Sequence, residues 1–184
     1  MQLAFTVNDF QSTSAVSSCS SPVTTRVFAP PHLVSWTNTT THLAAAIIAH
    51  YCNYFSMDYP LPKEDHFVVP QFFYSAMENW GLIAYRFDAL LLQPDAYTVG
   101  QLQRVAQVVA HELAHQWFGN LVTAAWWSES QSQQTTHSLT PPYTGSVNHT
   151  TQLRHCVGVI GSLRCDVMCA VCGGRLLSAG SMVE

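Results

Sequence analysis

With 184 residues, 48% of them apolar and only 10% charged, the chain has material for one packed domain, or for one and part of another, and is not a solvated disordered polymer throughout. A formal charge of −4 without any run of like charges argues against nucleic acid as a partner, because neutralising phosphates requires a basic stripe. No apolar stretch approaches a membrane span, whereas nine histidines make metal or acid–base chemistry worth seeking.

In chain order, the alternation of Leu3, Phe5 and Val7 predicts a strand, and the N-terminus lacks the basic region of a secretory leader, so the chain is expected to begin inside a fold. Residues 11–25 are rich in Ser and Thr and predict a loop, followed by a short strand over 25–29 that ends at Pro30 and Pro31. A helix is expected from Thr41, with Leu43, Ile47, Tyr51 and Tyr54 recurring at helical spacing and no Gly or Pro from His42 to Phe55. After the break at Pro60 and Pro62, residues 67–69 and 72–74 are strand-like, 81–87 alternate and 89–92 form a buried run. The strongest helix signal follows: Thr98 and Gln101 make a capping box, Leu102, Val105, Val109, Leu113 and Trp117 make an apolar stripe, and Gly119 supplies the stop. Residues 128–151 carry Ser, Thr, Gln and the Pro141-Pro142 pair without any period and predict disorder, and glycines interrupt every candidate element after them.

Cys19 and Cys52 stand alone, while Cys156, Cys165, Cys169 and Cys172 cluster near the end. Cys169 and Cys172 have zinc-knuckle spacing and His155 sits beside Cys156, but the other spacings match no familiar two-pair pattern, so these cysteines are read as unpaired thiols. Two glycosylation sequons, at Asn38 and Asn148, hint at a secreted parent.

Inside the capped helix lies His111-Glu112-Leu113-Ala114-His115. Two histidines four apart project from one helical face, so both imidazoles reach a single zinc ion, and the intervening Glu112 stands beside them to take a proton from the attacking water. Metzincins extend this motif with a Gly and a His downstream, where this chain has Phe118 and Leu121, which excludes that class. The motif continues as Gln116-Trp117-Phe118-Gly119-Asn120-Leu121-Val122-Thr123, then Trp126-Trp127, and Ser75-Ala76-Met77-Glu78-Asn79-Trp80-Gly81 lies upstream. Together these strings closely resemble the zinc aminopeptidases of the membrane alanyl aminopeptidase (aminopeptidase N) family. The upstream string looks like that family's Gly-Ala-Met-Glu-Asn motif with Ser in place of its first Gly. Tyr59-Pro60-Leu61-Pro62-Lys63 and Leu3-Ala4-Phe5 resemble further family segments in the same order, so the likeness covers residues 3–127.

The resemblance implies an α+β fold, the N-terminal part of a thermolysin-like catalytic domain in which a mixed sheet precedes the motif helix. It places residues 1–10 at the end of a preceding β-sandwich domain or in a first strand, 11–127 in a partial zinc peptidase domain, and 128–184 in an unassigned tail. It implies one zinc ion held by His111 and His115, Glu112 as general base, backbone groups of Ala76 and Met77 along an extended substrate, and Glu78 on the substrate's free α-ammonium group. The substrate is then a peptide with a free N-terminus, and the relatives' setting is extracellular or at the plasma membrane. The family's third zinc ligand, a glutamate, falls at Gln134, whose neutral amide binds zinc far more weakly, and Tyr143 does not inherit the family's proton-donating tyrosine. These departures predict a truncated chain that holds zinc weakly and hydrolyses little; the alternative is a non-catalytic form that binds peptide or a partner chain.

Overall fold

A computed structural model of the chain describes residues 3–123. A five-stranded mixed sheet, ordered β1-β2-β3-β5-β4, is packed with helices, so the fold is α+β as expected. The strands are β1 (Gln11–Ser17), β2 (Val23–Ala29), β3 (Lys63–Val68), β4 (Ala76–Met77) and β5 (Leu82–Tyr85). β1 and β4 are the edges, each antiparallel to its neighbour, while β2, β3 and β5 run parallel. A parallel pair needs a long crossover. Between β2 and β3 this is a 3₁₀ turn (Pro31–Thr37) leading into helix α1 (Asn38–Phe55).

Two expectations are corrected at the start of the chain. Residues 11–25 are not a loop: they hold β1 and the start of β2. β1 is an edge strand whose outward residues are exposed, so Ser and Thr serve there without the apolar alternation that marks a strand in sequence. The alternation of Leu3, Phe5 and Val7 instead forms no strand, and these side chains are 96%, 86% and 93% exposed. No strand among the described residues pairs with this segment, so periodicity alone leaves its backbone groups without a ladder.

The strand expected at 67–69 begins earlier, through Lys63, Glu64 and Asp65. Their charges hid it. Arg26 Nε and Nη2 donate to Asp65 at 2.6 and 2.8 Å, and Lys63 Nζ reaches it at 2.7 Å, so the buried carboxylate is paired. Burial pushes Asp65's pKa up, but the bonds from Arg26 and Lys63 outweigh it and hold the group below its ordinary value. Residues 72–74 form no strand; Phe73 and Tyr74 are exposed on the loop that carries the chain past β5 to the far edge. The run at 89–92 is buried as expected, its first half in a single-turn helix, α2 (Phe87–Leu90).

The long helix forms where its signals lie. In α3 (Val99–Trp117), Gln101 N–H donates to the Thr98 hydroxyl at 3.2 Å and Thr98 N–H donates to Gln101 Oε1 at 2.7 Å, completing the capping box. Val105, Val109, Leu113 and Trp117 are buried, and Leu102 is half-buried. Each such aliphatic burial stabilises by about 1.5–3 kcal/mol, which is what docks the helix. Trp117 meets Tyr51 and Tyr59 with ring centroids 5.8 and 5.4 Å apart, and Tyr51 Oη donates to the Ala110 carbonyl at 2.8 Å, fixing α3 against α1. Cys19 and Cys52 do not stand alone: they form a disulfide between the β1–β2 connection and α1. The tail cysteines, His155, Asn148, Gln134, Tyr143 and the disorder expected over 128–151 lie outside the described residues.

Candidate active site

The last turns of α3 present His111, Glu112 and His115. His111 Nε2 and His115 Nε2 face each other 3.1 Å apart, as the four-residue spacing requires. His115 Nδ1 lies 3.1 Å from the Phe118 carbonyl, which only accepts, so Nδ1 carries the proton and Nε2 keeps its lone pair toward His111. That carbonyl is held by the helix end: Phe118 N–H donates to Ala114 O, and Gly119 follows at φ +125°, a conformation that side chains disfavour.

Glu112 points the other way from solvent. It is 6% exposed, and its Oε2 has no hydrogen-bond partner. Burial, with the added negative charge of Glu78, pushes its pKa up to about 8. A cleft of about 380 Å³ opens here, lined by Tyr74, Ser75 and Ala76 on one side and by Gln107, Val108, His111 and Glu112 on the other.

The sheet supplies the opposite wall. Among the described residues β4 is an edge strand, paired on its β5 side through Ala76 with Tyr85 and Met77 with Ala84. Glu78 follows directly, and a turn closed by Leu82 N–H to the Asn79 carbonyl leads into β5. Gly81 sits in that turn at φ +78°, a conformation that favours glycine, and a Cβ there would meet Leu61 Cδ1 at 2.8 Å, so that side chain would have to shift. Ser75, where the family motif has Gly, is exposed and fits without strain.

The sequence-identified residues are thus brought together from two elements: His111, Glu112 and His115 from α3, and Ala76, Met77 and Glu78 from β4 and its end. Missed were Tyr74, Gln107 and Val108 in the cleft. Gln107 and Val108 precede His111 by four and three residues, so helical spacing would have found them; Tyr74 comes from an irregular loop and carries no such signal. Among the described residues, no helix is long and apolar enough to cross a membrane.

Comparison with known proteins gives the same direction. Residues 39–131 match the Peptidase family M1 domain. Over 127 residues, 69% of the chain, it is 42% identical to endoplasmic reticulum aminopeptidase 1 of Homo sapiens and 44% identical to endoplasmic reticulum aminopeptidase 2 of Bos taurus. Over 129 residues it is 41% identical to aminopeptidase N of Bos taurus. The chain spans 13% of the length of each of these relatives. The shared segment holds both the α3 motif and the β4 string, and the chain belongs to peptidase family M1.

Proposed function

We propose that this chain carries the metal and substrate-reading part of a zinc aminopeptidase, which removes N-terminal residues from peptides. The observation that carries the reading is the convergence of His111 Nε2 and His115 Nε2 at 3.1 Å beside the buried, partnerless Oε2 of Glu112. His111 and His115, with their Nε2 atoms 3.1 Å apart, would hold one zinc ion between them. Bound there, zinc supplies Lewis-acid polarisation of the scissile carbonyl and of water.

The chain's own residues do the rest. Glu112, with one oxygen uncommitted in a buried setting, takes the proton from the attacking water. The free edge of β4 receives an extended peptide, with Ala76 and Met77 offering backbone groups as a neighbouring strand would. Glu78, at the end of that edge, pairs with the α-ammonium group and makes the cleavage exopeptidic. In domain terms, residues 11–127 are the partial thermolysin-like unit, 1–10 are the end of a β-sandwich and 128–184 stay unassigned. The Cys19–Cys52 disulfide supports an oxidising setting, extracellular or within the secretory pathway.

Gln134 favours a second reading. With no carboxylate at the third ligand position, the chain holds zinc weakly and acts as a non-catalytic form that binds peptide or a partner chain. Turnover of leucine p-nitroanilide by the zinc-supplemented chain separates the two. Release of nitroaniline, absent with the N-acetylated substrate, supports the enzyme; peptide binding without turnover supports the second reading; equal cleavage of the acetylated substrate contradicts the aminopeptidase assignment.

A further inference from the structure

Two carboxamides on and just after α3 take no part in the chemistry described above. Gln116, fully buried, follows His115 directly, and Asn120, 7% exposed, lies just past the helix end. Both reach across to the segment joining β4 to β5. Asn120 Nδ2 donates to the Glu78 carbonyl at 2.8 Å, and Gln116 Nε2 donates to that same carbonyl at 3.3 Å and to the Glu112 carbonyl at 3.4 Å. Gln116 Oε1 accepts from Gly81 N–H at 3.3 Å and lies 3.4 Å from the Tyr59 oxygen, whose single proton goes to Glu64. The segment from Glu78 to Gly81 is therefore held at both ends by side chains of the element that carries His111 and His115.

Packing alone does not call for these amides. A Met or Leu would fill the space behind the helix without the desolvation that a buried carboxamide incurs unless its atoms are paired. Gln116 keeps three hydrogen-bond partners, the Glu78 and Glu112 carbonyls and the Gly81 N–H, all backbone groups, which makes a rigid link between a strand end and a helix. Rigidity has a use here because recognition of a charged terminus loses strength when the carboxylate is displaced by about 1 Å from its working position.

We propose that Gln116 and Asn120 are positioning residues that fix the separation between the Glu78 carboxylate and the His111–His115 pair, and thereby set the register at which a free α-ammonium group is read. This inference rests on the reading of Glu78 as the ammonium-binding carboxylate.

The test uses the full chain supplemented with zinc, titrated calorimetrically with leucinamide and with N-acetyl-leucinamide. The parent chain is expected to prefer the free amine by about tenfold or more, and a Gln116→Met, Asn120→Ala double variant to lose most of that preference while binding zinc within about twofold of the parent. Amide hydrogen exchange supplies the second readout: in Gln116→Met, Gly81 exchanges about tenfold faster while Leu113 in α3 is unchanged. A double variant that keeps the preference, or a Gly81 rate that stays the same or rises only together with that of Leu113, overturns the inference. A parent chain without preference, or a Glu78→Gln variant that retains it, overturns the reading of Glu78 and this inference with it. If Glu78→Gln loses the preference and the double variant keeps it, only the positioning role falls.

Discussion

At Glu112 a carboxylate is buried with one oxygen unbonded, and such an arrangement is costly unless something outside the fold uses it. Its neighbours His111 and His115 leave their Nε2 atoms converging beside it, so the cost and the use coincide within little more than one helical turn. Replacing Glu112 with Gln is expected to leave zinc affinity within about threefold of the parent while lowering any turnover by about 10²–10⁴-fold, as loss of a general base does; zinc titration and nitroanilide assays in parallel check both halves. The His-Glu-x-x-His spacing was legible because helical geometry converts four residues into one face. The roles of Gln116 and Asn120 were not, since their partners at Glu78 and Gly81 lie on another element and only tertiary structure brings them near.

Among the elements, α3 shows how local signals suffice when they agree: cap, stripe and stop all point to one helix, and it forms over Val99–Trp117. Thr98→Ala removes the acceptor for Gln101 N–H and is expected to cost about 1 kcal/mol, read as a lower denaturation midpoint at unchanged slope. β1 shows the opposite case. Its residues have no apolar alternation, and it exists because β2 offers a complete antiparallel ladder from Gln11 with Ala29 to Ser17 with Val23. Leu3, Phe5 and Val7 have the alternation and lack the ladder. Strand pairing is non-local, so sequence periodicity neither guarantees a strand nor excludes one.

Across the whole molecule, two features leave no sequence signature. The Cys19–Cys52 disulfide closes a span of 33 residues around α1, and a Cys19→Ser, Cys52→Ser variant is expected to lose about 2–4 kcal/mol of stability by chemical denaturation. The second is a pair of buried titratable groups on the inner face of β3. Burial pushes Glu64 up to about 8 from an ordinary 4.5, even though the Tyr59 hydroxyl donates to it, so the folded chain holds a proton that the unfolded chain releases over that range. Raising the pH through it removes stability. Burial depresses His66 to about 3 from 6.5, so in that interval the unfolded chain takes up a proton that the folded chain refuses, and lowering the pH removes stability. Glu112, raised to about 8 in the same way, adds to the slope of Glu64, so between 4.5 and 6.5 the two carboxyls outweigh His66, and the metal-free chain is expected to be most stable near the lower end of that interval, falling off on both sides. Thermal melts across the pH range check this, and Glu64→Gln should flatten the alkaline side. At this scale the family resemblance gave the fold class, while the disulfide and the buried titratable groups became visible only with the sheet order in place.

The central claim is that His111 and His115 together hold a divalent metal, and cobalt(II) titration followed by visible absorption tests it most directly, because nitrogen and thiolate ligands give different spectra and the tail cysteines are thereby told apart. The account predicts one cobalt site per chain with nitrogen and oxygen ligands, lost in a His111→Ala, His115→Ala variant that still folds. An unchanged spectrum in that variant, or a parent chain whose only bound cobalt is thiolate-ligated, would contradict it.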